Sequence, residues 1–330
     1  MPSGMVGTTP EVNTSVEALS TWTAWAYLAA GAAICAGCIW LIPMTTIVAY
    51  CEAMTITPDA PTETRSIDGI PLTPKDVTTI GFEDLAPRAT VEAERLHRKQ
   101  RLAGALRIFG RLGFGEGVAG HITVRDPEFP DHFWVNPLGL SFRHMKVSDL
   151  ILVNHHGEVV YGKHSVNRAA YVLHAAVHTA RPDAIAAAHA HSVYGKAFSS
   201  LGIKLDALTQ DSCAFYENNV VIADHGGAVV FEEAAGRDFA EAFGNNRAAI
   251  HQNHGHFTVG ASVDEAVFWF VCFERCAQAQ LAAMAAGTPK HIPHESAVYT
   301  RENAGNAMTG WMHFQPLWQE ICATDPELFN

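Results

Sequence analysis

The chain has 330 residues, 48% of them hydrophobic and 17% charged, with a formal net charge of −12. That balance gives a globular protein with a substantial core and argues against disorder. Without a block of Lys or Arg it makes nucleic acid a poor partner, since phosphate binding needs clustered cations, while a small anionic substrate stays open.

Seven cysteines, odd in number and irregularly spaced, do not resemble a disulfide framework; reduced thiols in a cytoplasmic protein are the expectation. Residues 1–89 read as a leader. Within it, Ala18 to Cys51 holds no charged residue and is long enough to span a bilayer, although Pro43 would kink or end a helix there. No cation flanks the stretch, so it makes a poor secretory signal and has no readable orientation. Three readings stand: a membrane segment at 18–51, upstream sequence wrongly included ahead of a start at Met54, or a buried helix. Cys35 and Cys38 form a CxxC inside this run, with no second ligand pair nearby for zinc.

The globular part is expected over 90–287. Thr90 caps a helix whose apolar face carries Leu102, Ala105, Leu106 and Phe109, ending at Gly113. HITVRD and HFWVNP read as short strands with a turn at Pro127–Asp131, followed by strands Ile151–Val153 and Glu158–Tyr161. A helix is expected over 168–180, terminated by Arg181-Pro182. Ala184–His191 reads as a strand, with a short helix from Ser192. Val220–Ile222 and Ala228–Phe231 read as strands, Glu232–Phe243 as a helix, and Ala248–Asn253 and Phe257–Val259 as strands around a His-Gly turn. Ser262 with Glu265 makes a capping box for a helix to about Ala286. The short hairpins favour a mixed or antiparallel sheet with helices on its faces over a doubly wound parallel one. Residues 288–330 form a tail whose Trp311, Phe314 and Trp318 either cover a neighbouring subunit's site or pack on their own chain.

The histidines carry the chemical signal. His189 and His191 alternate on one strand and so project from the same face, with alanines leaving room around them. His254, followed by Gly255 at a strand end, can turn its ring inward. Three histidines would leave positions open for water or substrate, as in catalytic rather than structural metal sites. Zinc, iron(II), manganese and cobalt all suit imidazole.

GHITVRDP (120–127), VNPLG (135–139), ARPDAIAAAHAHS (180–192), QNHGHFTVG (252–260) and DEAVFWFVCFER (264–275) occur in this order. Together they resemble the class II aldolase/adducin family over roughly Glu94 to Gly287. The resemblance implies a three-layer α/β/α fold with a central mixed, largely antiparallel sheet. It also implies a homo-oligomer, commonly a tetramer, with sites at subunit interfaces, and a divalent metal, zinc foremost, on His189, His191 and His254. Two departures stand out. The family aldolases' catalytic glutamate, four residues before the histidine matching His174, is here Ala170, and their serine-rich phosphate loops are missing. A methyl group cannot serve as a general base.

Candidate acid–base groups are His121, Glu116 and Tyr216; candidate substrate-binding residues are Asn136, Gly139 and Gln210, the last beside Asp211. Blander roles compete: a surface charge for Glu116, a core aromatic for Tyr216, packing for His174 and His178, a surface position for His256. The expected function is a metal-dependent lyase, an aldolase or decarboxylase, acting on a small non-phosphorylated oxo- or hydroxy-acid or carbonyl substrate. An iron(II) oxygenase on the same histidines and an adducin-like interaction module are the alternatives.

Overall fold

The computed structural model describes residues 86–330, together with residues 66, 67, 70 and 71. The apolar stretch 18–51, the CxxC at Cys35 and Cys38 and most of the leader lie outside the described residues. No helix among the described residues is long and apolar enough to cross a membrane. Ser66–Ile67 (β1) and Ile70–Pro71 (β2) form a small antiparallel pair of their own.

Helix α1 spans Val91–Arg111. Thr90 accepts the first-turn N–H of Ala93, Glu92 and Glu94 complement the helix dipole at that end, and Gly113 turns the chain away at φ +80°. The strands follow as β3 (His121–Arg125), β4 (Phe133–Val135), β5 (Ile151–Val153), β6 (Val159–Tyr161), β7 (Ala186–Ala190), β8 (Asn219–Ile222), β9 (Ala248–His251) and β10 (Gly255–Gly260). They make one eight-stranded sheet in the order β6-β5-β4-β3-β7-β10-β9-β8. Every pairing is antiparallel except β8 with β9. The sheet is therefore mixed and largely antiparallel, as the hairpin spacing anticipates.

Helices α2 (Arg168–Ala180) and α4 (Glu233–Phe243) cover one face, while α1, α5 (Val263–Ala286) and α7 (Ala307–Thr324) cover the other; α3 (Val193–Ser199) follows β7. This makes three layers, α/β/α. Ser262 accepts from Glu265 N at 3.1 Å and Glu265 reaches back to Ala261 N at 2.7 Å, so the α5 capping interaction forms one residue earlier than the simple box. The tail folds into α6 (His294–Ala304) and α7, and Trp311, Phe314, Ile321 and Leu328 are buried on their own chain. The four cysteines among the described residues, Cys213, Cys272, Cys276 and Cys322, are free thiols.

One expected strand does not form. Ala228–Phe231 runs as irregular backbone ahead of α4, with Val229 and Phe231 exposed. Its apolar, β-branched composition suits a strand, but it joins no ladder, and the sheet ends at β8 with its outer edge uncovered by this run.

Candidate metal centre

Strand β7 lies at the middle of the sheet between β3 and β10, and the register puts His121 opposite His189 and His189 opposite Phe257. These three side chains share the face turned toward α2 and α4. The His189 ring stacks on Phe257 with centroids 4.0 Å apart. His191 stands just past the strand end. His254 enters from the β9–β10 turn, which Asn253 opens in the left-handed region at φ 61°.

One ring nitrogen from each of His189, His191 and His254 lies within 4.8 Å of the others. His254 Nε2 and His191 Nε2 point at each other across 2.9 Å. His189 Nδ1–H donates to the His256 carbonyl at 2.9 Å, which fixes the tautomer and leaves Nε2 bare, buried and unpartnered. His254 Nδ1 sits 3.0 Å from His251 Nδ1. A metal-binding imidazole is held in this way, its distal nitrogen tied and its proximal one turned inward. Burial, with neighbouring rings adding, pushes His189 well below the usual range and His254 down to about 3; burial and Lys196 lower His191. All three are neutral at pH 7, the form that ligates a cation. The donor set therefore fits a divalent metal with open coordination positions.

The turn that carries His191 into α3 is held from the opposite layer. Glu274 of α5, buried, accepts from Ser192 Oγ at 2.6 Å, Tyr194 N at 2.9 Å and Gly195 N at 2.7 Å. Ser192 itself makes no capping bond, so this carboxylate satisfies the first N–H groups of α3. Gly195 permits the approach, because a Cβ there would lie 2.5 Å from His256 Nδ1.

Above the histidines opens a cavity of about 390 Å³. Its wall includes Val118, Leu173, Val229, Val230, Phe231 and Phe257, with His121 and His174 beside the cluster. Lys196 is the one Lys or Arg lining it among the described residues, and its Nζ is 2.6 Å from Glu116.

The sequence candidates separate on this geometry. His121 is buried in the cavity wall, and burial first, then His174, holds it well below the usual range. Glu116 reaches the rim only through its ion pair with Lys196, both side chains partly exposed. Asn136 is buried and braces β3, accepting from Ile122 N at 3.3 Å and donating to Gly120 O at 3.4 Å. Gly139 lies in a separate groove with Gly110 and Arg143. Gln210 lines another depression beside Trp269 and Arg275. Tyr216 hydrogen-bonds His294 Nδ1 at 3.1 Å. Within one chain, then, Tyr216, Gln210 and Gly139 are not brought to the cluster. His256 faces the other layer, fully buried against Phe270 at 3.9 Å, and is neither a cavity group nor a surface one. Sequence reasoning missed Glu274 and Thr123. The signal for Thr123 was its position two residues after His121, hence on the same strand face.

Residues 100–281 match the family described as Class II Aldolase and Adducin N-terminal domain. The chain is 44% identical over 241 residues to Decarboxylase NovR of Streptomyces niveus, a match covering 72% of this chain and 89% of that protein. It is 43% identical over 241 residues to the 4-hydroxy-3-prenylphenylpyruvate oxygenase/4-hydroxy-3-prenylbenzoate synthase of Streptomyces roseochromogenus subsp. oscitans, covering 72% and 87%. A solved structure titled L-fuculose 1-phosphate aldolase from Glaciozyma antarctica PI12 superposes with a TM-score of 0.69 and 46% identity, covering 74% of this chain and 96% of that one.

Proposed function

The chain belongs to the class II aldolase and adducin family, and from that premise we propose that it is a metal-dependent carbon–carbon lyase acting on a non-phosphorylated oxo- or hydroxy-acid with an apolar tail. The observation that carries this reading is the convergence of three neutral imidazoles within 4.8 Å beside an apolar-walled cavity. His189, His191 and His254 would hold the divalent cation, zinc foremost, with iron, manganese and cobalt served by the same ligands. When bound, the cation supplies a Lewis acid that stabilises negative charge on a carbonyl oxygen as a carbon–carbon bond breaks.

The residues of the chain do the rest. Leu173, Val230 and Phe231 offer an apolar substrate tail a dry wall, worth about 25 cal/mol for each Å² it buries. His121, held neutral, offers hydrogen-bonding nitrogen beside the cluster. Among the described residues, the cation a phosphate would meet in this cavity is Lys196, already paired with Glu116. That poverty of cations weighs against the sugar phosphate named for the Glaciozyma protein, and the phenylpyruvate named for one Streptomyces relative supports an aryl-substituted acid. The exposed Val118, Val229 and Phe231 at the cavity mouth support a homo-oligomer, which the resemblance puts at four copies.

The test is elemental analysis of the purified full chain, combined with product assays on aryl-substituted oxo- and hydroxy-acids. About one metal per chain is expected, lost in a His189→Ala, His254→Ala double variant, with CO2 or aldehyde release abolished by a chelator. A folded, metal-free wild-type chain would overturn the reading and favour an adducin-like interaction module. One observation favours a second reading: the relative named as an oxygenase shares 43% identity, and three neutral ligands also suit iron(II) with room for oxygen. Iron retained on anaerobic purification, with oxygen consumed on turnover, would select it.

A further inference from the structure

A chain of hydrogen bonds behind the cavity fixes the proton on one more histidine. His178 Nδ1 lies 3.1 Å from the carbonyl of Ala184, which can only accept, so Nδ1 carries the proton. Fully enclosed, His178 is held neutral, mainly by burial, with Arg125 adding to the effect, and its Nε2 is therefore bare. That nitrogen is 2.8 Å from Thr123 Oγ1, so the single hydroxyl proton of Thr123 is donated to it. The competing acceptor, Ala187 O at 3.5 Å, is too long to claim that proton and would leave two lone pairs facing at 2.8 Å. Thr123 Oγ1 must then accept from its other neighbour, His174 Nδ1, also at 2.8 Å. His174 is left with its proton on Nδ1 and a bare Nε2, buried and without a partner, in a ring that lines the cavity.

We infer that His174 Nε2 is a preset proton acceptor for a substrate hydroxyl held beside the three-histidine cluster, with Thr123 and His178 as the residues that position it. The inference rests on the lyase reading and deepens it. His174 lies on the same helix as Ala170, one turn further along, and the sequence has an alanine where the related aldolases carry their base. The substrate class that uses such a group is a β-hydroxy carbonyl acid with an apolar tail. In the cleavage, the hydroxyl O–H bond breaks and its proton goes to His174 Nε2. The O–H electron pair forms the new carbonyl, and the carbon–carbon pair stays on the carbon next to the acid's own carbonyl. That carbon then takes the proton back from His174, so atoms and charge balance without an oxidant or a second reactant.

The test begins with the full-length chain stripped of metal and labelled with ¹⁵N-histidine, using His174→Gln to assign the signal. The expected spectrum shows His174 protonated on Nδ1 and bare on Nε2, and Thr123→Val abolishes that single-tautomer signature while Thr123→Ser restores it. With zinc added and 3-hydroxy-3-phenylpropanoate, a β-hydroxy acid with an aryl tail, as probe, the Nε2 resonance moves toward the range of a hydrogen-bonded nitrogen. In turnover, His174→Gln lowers kcat about 100-fold with metal content unchanged, and Thr123→Val lowers kcat rather than raising KM. A wild-type spectrum with His174 protonated on Nε2 overturns the inference, as does a His174→Gln variant that keeps its metal and its kcat. Absence of metal from the wild-type chain would instead overturn the lyase reading, and the nitrogen spectrum alone would then decide the tautomer.

Discussion

Glu274 shows how one side chain in the far layer can govern the metal centre. Its carboxylate takes three donors at the start of α3, and Ser192, one of them, directly follows His191. Replacing it with alanine orphans buried donors, each costing about 1–3 kcal/mol. We expect Glu274→Ala to lose roughly 3 kcal/mol of stability in urea unfolding, and to weaken metal binding about 10-fold or more in a chelator competition, as for other groups that orient ligands. Glu274→Gln, which keeps one acceptor oxygen, should fall between the two. Wild-type values in both assays for the alanine variant would mean that the α3 turn holds itself. The residue sits inside a segment whose likeness to the family was legible, yet its task was not, because its partners lie 79 to 82 positions away in the chain. Local patterns show which residues share a face; they do not show where a buried carboxylate finds its donors. The three ligand candidates were legible for the opposite reason. The period of two along β7 places His189 and His191 together, and the Asn253-His254-Gly255 turn is local.

At the scale of elements, the reading succeeds where a helix or strand is capped and patterned by its own residues and fails where it depends on a neighbour. α1 and α2 carry caps at Thr90 and Asn167 and form over the expected residues. Ala228–Phe231 has the composition of a strand but no partner, and it lines the cavity mouth instead. The tail is the same problem reversed: its apolar face was visible in Trp311, Phe314 and Trp318, but the surface it covers was not. It packs on α1 and α5, where a Cβ at Gly104 would lie 2.4 Å from Trp318, so helix and tail meet at glycine distance. Arg107, buried on α1, pairs with Glu327 at 2.6 Å and Asp325 at 3.4 Å. Truncation after Gly287 would uncover Phe314, Ile321 and Leu328, each worth about 1.5–3 kcal/mol in burial, and strand the Arg107 charge. The truncated chain should therefore lose more than about 5 kcal/mol and go to inclusion bodies. Soluble truncated protein with an unchanged melting temperature would show that the tail serves only an assembly.

Over the whole molecule, the enclosed histidines set a dependence on acid that no single motif announces. His174, His178 and His256 are each pushed down to about 3, burial being the largest cause. In the unfolded chain they take up protons below their ordinary value of about 6.5. Between those limits the unfolded state binds more protons than the native state, so stability falls as the pH drops from 6.5 toward 3. Three such groups give a slope of about 4 kcal/mol per pH unit once all are titrating in the unfolded chain. Asp126 acts in the same direction but lower. Burial, the largest single cause, would raise its pKa, but hydrogen bonds from Arg95, the Glu128 and Phe129 N–H groups and Trp134 together outweigh it and hold it at about 2, so its contribution is complete above about 3.9 and is lost only between there and 2. The histidine window comes first: three groups titrating from about 6.5 to 4 remove about 10 kcal/mol, enough to exhaust a domain in the lower part of the ordinary range of about 5–15 kcal/mol before pH 4. Urea unfolding of the chelator-treated chain at pH 7, 6 and 5 should show a steep loss over the last interval. His256→Phe, which keeps a ring against Phe270 and Phe273 but cannot take a proton, should lower the slope by about one proton's worth, roughly 1.4 kcal/mol per pH unit. Stability that stays level from pH 7 to 5 would mean that the unfolded chain gains no such protons, and that these rings are either already charged in the native protein or still buried when it unfolds.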